Sequence, residues 1–184
     1  KLKVLYVPNY VPRSMRIAAT SRLHREITRM MPAYDVQLAL AEGPFEDDDG
    51  VGAHFDKMAL NGHPPSKAVA ATTVDYHASI MKLGRHAAMH QPKIVYGEGQ
   101  GALIALGYAR PLCLEQAMMT RNVQHSEASQ IGQAWGNVSA VFIFEPRMSR
   151  KGLQVEKLRA AFPELFVKDF PVSDRRTMAI KNQK

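Results

Sequence analysis

Residues 93–109 run three elements together without a break. These are a short apolar run, Lys93 to Tyr96 (KIVY), a glycine-rich turn, Gly97-Glu98-Gly99-Gln100-Gly101, and the almost wholly apolar stretch Ala102 to Ala109. A helix this short and this apolar offers water no polar face, so most of its surface must be enclosed. A strand that is apolar at consecutive positions needs cover on both faces of its sheet. Together they predict a buried strand, a tight turn and a buried helix. Similar apolar runs recur at Leu2 to Val7 (LKVLYV) before Pro8, Val36 to Ala41 (VQLALA) before Gly43-Pro44, and Ser139 to Phe144 (SAVFIF) before Pro146. Strands alternating with helices predict one three-layer α/β domain over residues 1–184, with about five mainly parallel strands. Right-handed crossovers bring the carboxyl ends of such strands to one edge, where ligands bind. The glycine turn belongs on that edge.

Between the strands the spacing is helical. After Ser14, a candidate cap, Ile17, Leu23, Ile27 and Met30 or Met31 recur near helical period up to Pro32 and predict the buried stripe of a first helix. Arg22, Arg25 and Arg29 share another face of it, with Arg13 and Arg16 nearby. A second helix is expected from a cap at Thr72 or Thr73 to about His90, with Tyr76, Ile80, Leu83 and Ala87 inward. Residues 112–118 read equally as a strand at Leu112–Leu114 or as more helix, and Ser126 or Glu127 to Trp135 reads as helix. Gly152-Leu153 opens another helix, through Val155, Leu158 and Phe162, and Leu165 to Phe170 (LFVKDF) reads as a last strand. Residues 175–184 form a basic tail expected to fray. Residues 44–71 form an irregular loop, with short helical pieces around 53–60. It contains the acidic run Glu46-Asp47-Asp48-Asp49 and the pair Pro64-Pro65. A connection of that length in an α/β domain is functional or mobile.

Composition narrows the function classes. With 46% apolar and 22% charged residues the chain is of the soluble globular kind. No apolar run approaches the ~18 residues of a membrane helix. The single cysteine, Cys113, excludes an internal disulfide and leaves no cysteine set for zinc, which points to an intracellular, reducing compartment. With no cation beside it in sequence, Cys113 reads as core filler and not as a nucleophile. The ten methionines read as packing. A net charge of +7 suits nucleic acid, an anionic surface or an acidic protein partner. The basic surface formed by Arg13, Arg16, Arg22, Arg25 and Arg29 is where nucleic acid would meet it. His86 and His90 stand four apart, a spacing two metal ligands use, but no third ligand accompanies them, so they read as surface histidines. The acidic run fails calcium-loop spacing in every register. Trp135, between Gly132 and Gly136, reads as an anchor.

The stretch Ile94-Val95-Tyr96-Gly97-Glu98-Gly99-Gln100-Gly101-Ala102-Leu103-Ile104-Ala105-Leu106 resembles the nucleophile elbow of α/β-hydrolases, a G-x-S-x-G turn between strand and helix. The layout of residues 1–109 is similar as well. The resemblance implies that the Gln100 N–H is one oxyanion donor and that Asn9 or Tyr10, after the first strand, supplies the second. It also implies that catalysis is absent. Gly99 stands where the serine would be, Glu145 is the acid after a later strand, and no histidine follows His125, so the order nucleophile, acid, histidine is missing. The expected function is therefore a non-catalytic binding or assembly module, engaging a protein partner or a larger assembly. Its ligand-binding group is Asn9, Tyr10, Gly97, Glu98, Gly99, Gln100 and Gly101, with no catalytic residue, metal or cofactor.

Two other readings use the same turn. Gly97, Gly99 and Ala102 fit the G-x-G-x-x-A form of the dinucleotide fingerprint, with Glu115 near the place of a ribose-binding acid, so a Rossmann-like domain or enzyme holding a nucleotide or phosphate ligand is an alternative. Glu98 brings a negative charge that disfavours it, and no Gly-Lys-Ser or Gly-Lys-Thr is present for a phosphate loop. The other reading is purely architectural, because glycine permits positive φ and close helix–strand approach whatever the function. Backbone N–H groups at 98–101 directed into an open pocket would distinguish them.

Overall fold

A computed structural model describes residues 1–9, 12–47, 50–55, 65–144 and 178–180. Along the chain these form β1 (Leu2–Val7), α1 (Arg13–Met30), β2 (Val36–Leu40), β3 (Phe45–Asp47), β4 (Gly50–Ala53), α2 (Pro65–His90), β5 (Ile94–Glu98), α3 (Gln100–Ala109), α4 (Pro111–Thr120), α5 (His125–Asn137), β6 (Ala140–Phe144) and β7 (Met178–Ile180). The main sheet has the order β2-β1-β5-β6-β7. Its first four strands are parallel, and β7 runs antiparallel to β6. The expected α/β class and mainly parallel sheet are therefore present.

The chain leaves β1 to one side to form β2 and returns to the other side to form β5. The order reverses between β1 and β5, which makes their carboxyl ends the topological switch point. Leu5, Val7, Val95, Val141 and Ile143 share one buried cluster with α2, α3, α4 and α5, while Leu2, Val4 and Val36 pack on the other face with Ile27, Met31, Leu38 and Tyr96. All ten residues of α3 are buried, because it lies against β5 and β6 and beneath α2 and α4. That enclosure explains its all-round apolarity. The stripe Tyr76, Ile80, Leu83 and Ala87 on α2 is buried as expected, and Cys113 is core filler. Trp135 is an anchor, its Nε1 donating to the Tyr108 carbonyl at the end of α3, 2.8 Å away.

Several expectations need correction. The inward stripe of α1 begins at Arg16, which is 3% exposed, and continues through Thr20, Leu23 and Ile27, whereas Ile17 and Met30 are 56% and 68% exposed. Counting back one heptad from Leu23 reaches Arg16, so a charged residue holds the position where an apolar one was sought. Met15, Met30, Met89 and Met119 are also exposed and do not serve as packing. Pro12, not Ser14, precedes α1, with no side-chain cap. The second helix begins at Pro65 and carries Thr73 inside it; proline suits a first helical position because its missing N–H has no helical partner there. Residues 44–71 are not irregular throughout, since β3 and β4 pair antiparallel and α2 starts within them. Ala53 ends β4, and 56–60 lie outside the described residues. Of the two readings left open for residues 112–118, the helical one holds. Met178–Ile180, expected in the fraying tail, pairs with β6. The expected helix from Gly152 and strand Leu165–Phe170 lie outside the described residues.

Candidate functional site

Only Gly99 separates β5 from α3, and it turns the chain with φ 57° and ψ −116°. A side chain is strained at such a positive φ, and glycine is not. Two backbone donors are engaged here. The Gly99 N–H donates to the Phe144 carbonyl on β6 at 3.0 Å, and the Gln100 N–H donates to Asn9 Oδ1, also at 3.0 Å. The Asn9 carboxamide lies in the space a side chain on residue 99 would need: a Cβ there would fall 2.1 Å from Asn9 Oδ1 and 2.2 Å from its Cγ. Asn9 thus fills the space beside Gly99 and presents an acceptor to the Gln100 N–H. Through Oδ1 Asn9 acts here as an acceptor, and Tyr10, the other residue expected to supply a donor, lies outside the described residues.

The flanking glycines serve close packing. A Cβ at Gly101 would lie 2.1 Å from the Val7 carbonyl oxygen, and one at Gly97 would lie 2.7 Å from Ala105 Cβ. Gln100 and the glycines at 97, 99 and 101 are buried, whereas Glu98 and Asn9 are half-buried. Glu98 accepts from the Tyr6 hydroxyl at 2.8 Å. Burial first, and then the Glu98 charge, push the Tyr6 hydroxyl above its ordinary pKa, so the phenol keeps its proton and continues to donate. Tyr96 packs beside Tyr6 with ring centroids 5.8 Å apart.

Behind this turn lies a polar layer that sequence reasoning missed. His54, 2% exposed, directs Nε2 to the Pro8 carbonyl at 2.9 Å. Its Nδ1 has no hydrogen-bond partner among the described residues. Burial pulls its pKa down to about 4; the Pro8 carbonyl opposes that shift and the Arg16 charge adds to it, so the ring is neutral and Nε2 carries the donated proton. The Ser79 hydroxyl donates to the His54 carbonyl. Arg16 pairs with Glu42 at 3.2 Å and underlies β4, where a Cβ at Gly52 would come 2.8 Å from the guanidinium. The heptad spacing from Leu23 is the one sequence signal that marks Arg16. Nothing local to His54 or Ser79 marks either residue.

The basic surface accordingly loses Arg16. Arg13, Arg22, Arg25 and Arg29 are exposed, and Arg22 pairs with Glu26 along the helix at 3.3 Å. Glu115 is exposed on α4, which follows the far end of α3 from the turn. His86 and His90 stack, with centroids 6.2 Å apart. Among the described residues no group of three His, Cys, Asp or Glu is placed to hold a metal ion, and no helix is long and apolar enough to cross a membrane. No family model, curated protein or solved structure matches this chain.

Proposed function

We propose that this chain is a non-catalytic binding or assembly module on an α/β-hydrolase-like framework, with the nucleophile's place taken by Asn9. The contact between Asn9 Oδ1 and the Gln100 N–H, over a Gly99 that has no side chain, carries the reading. Acyl transfer needs an attacking group and donors aimed at the oxygen where charge develops. Here the attacking group is missing, and an amide oxygen occupies the donor that would stabilise that charge. Recognition is the function left to the crevice mouth, at the switch point where sheets of this kind hold their ligands. A nucleotide or phosphate at the same turn draws less support. The helix terminus would have to offer open N–H groups, but the Gln100 N–H is engaged and Glu98 sets a negative charge alongside.

Hydrolysis of small p-nitrophenyl esters tests the proposal, together with thermal shift against acyl and nucleotide ligands. The wild-type chain is expected to turn over no ester above a heat-denatured control. Turnover that vanishes when Asn9 or Gln100 is substituted would overturn the proposal.

A further inference from the structure

β2 is an edge strand, pairing with β1 on one side, and among the described residues no strand pairs with its other side. The Asp35 carbonyl accepts from Leu2 N–H at 2.8 Å, and Ala41 N–H donates to the Tyr6 carbonyl at 2.7 Å. In a parallel ladder this alternation directs the backbone groups of residues 35, 37, 39 and 41 toward β1 and those of Val36, Leu38 and Leu40 outward. His24 confirms the phase, since its Nε2 lies 3.0 Å from the Val36 carbonyl oxygen. Leu38 and Leu40 therefore each present an N–H and a C=O on the outer edge. Proteins block such edges with charged residues, proline or bulges. The sequence Val36–Leu40 (VQLAL) has no charged residue or proline, and its register with β1 is unbroken.

Beside this edge lies an open depression of about 590 Å³, lined by Thr20, Ser21, His24, Arg25 and Leu38. Leu38 belongs both to the edge and to the depression. A strand added to β2 would point alternate side chains to the α1 side, where Leu38 also points. Arg25 is exposed there and, among the described residues, has no ion-pair partner.

We infer that the outer edge of β2 and this depression dock an acidic peptide segment in extended form. Its backbone pairs with Leu38 and Leu40, and a carboxylate meets Arg25 beside the Ser21 hydroxyl. Backbone pairing of this kind gives affinity, and pockets for alternate side chains give selectivity. A second copy of this chain is the poorer occupant, because pairing two β2 edges would bring two basic α1 flanks together. The inference rests on β2 and α1 and is independent of the Asn9 contact.

The test is fluorescence anisotropy of the whole chain with a short labelled peptide of alternating Thr and Glu. Its controls are a Thr/Lys counterpart and a version N-methylated on alternate amides. The Glu peptide is expected to bind, with affinity falling as salt rises. The Lys peptide and the Arg25→Glu variant should each weaken binding about tenfold or more, and N-methylation or Leu38→Pro should abolish it. Should Leu38→Pro fail to fold, Arg25→Glu and the N-methylated peptide decide. No binding at millimolar Glu peptide, equal binding of the Lys peptide, or indifference to Arg25→Glu would overturn the inference. A concentration-dependent dimer that Leu38→Pro dissolves would also overturn it, by assigning the edge to a second copy.

Discussion

At the carboxyl ends of β1 and β5 the chain meets backbone donors and acceptors of its own, whereas along the outer edge of β2 no strand among the described residues meets those of Leu38 and Leu40. The Gly99 and Gln100 N–H groups and the Pro8 carbonyl all find partners within the protein, and the glycines at 97 and 101 let backbone touch backbone. Gln100 and the three glycines are buried there, so an unmet backbone group among them would be costly. On β2 water can serve the same groups, and the strand tolerates an edge that another chain could complete. The crevice that fold rules mark for ligands is thus the tighter region, and the strand those rules pass over is the more accessible one.

The contrast breaks first, and by most, at Gly101. Gly101→Val would drive a side chain into the Val7 carbonyl, and neither backbone can retreat, so unfolding in urea should show a loss of about 3 kcal/mol or more. Gln37→Thr, on an exposed position of β2, should stay within about 0.5 kcal/mol of wild type.

Acid should separate the regions next. The His54 pKa is about 4 when folded against 6.5 for the ordinary ring, so between those values the unfolded chain binds more protons and stability falls as pH falls. From about pH 6.5 to 4 that loss should approach about 3 kcal/mol, with His77 and His86 shifted in the same direction, chiefly by burial. A urea series across this range checks it, and His54→Gln should flatten the curve by the His54 share.

A smaller effect sharpens the account of the turn. Gly99→Ser combines a strained φ with a collision against Asn9 and should cost about 2 kcal/mol. Asn9→Ala removes a hydrogen-bond partner and should cost about 1 kcal/mol. The double variant should cost less than the sum, because the second change relieves the first, and denaturant midpoints read that coupling. Smallest of all, Arg25→Glu should shift stability by no more than about 0.5 kcal/mol, even as it weakens the acidic peptide.

The fold was legible where chemistry is local. Continuous apolar strands, proline stops and the all-apolar stretch Ala102 to Ala109 can be understood only as a sheet with helices on its faces. The glycine turn announced itself by spacing. The site was less legible because its meaning lies in contacts between residues far apart in sequence. Asn9 and Gly99 are each ordinary in isolation, and their fit appears only once β1 and β5 are neighbours. Arg16 was hidden because hydrophobic patterning passes over a buried arginine whose partner, Glu42, comes from the end of another strand. The pairing of β3 with β4 was masked by an acidic run that reads as a loop. Met178–Ile180 is too short to show periodicity, and only its pairing with β6 defines it.

Trp135 gives the molecule an internal gauge. It is the chain's sole tryptophan, and its indole is tethered to the last turn of α3, whose first residue is held by Asn9. A rigid helix carries displacement from one end to the other, so a ligand or substitution that slides α3 at the glycine turn changes the surroundings of the indole. Intrinsic emission therefore reads the state of the glycine turn from the opposite end of the helix, with no label attached.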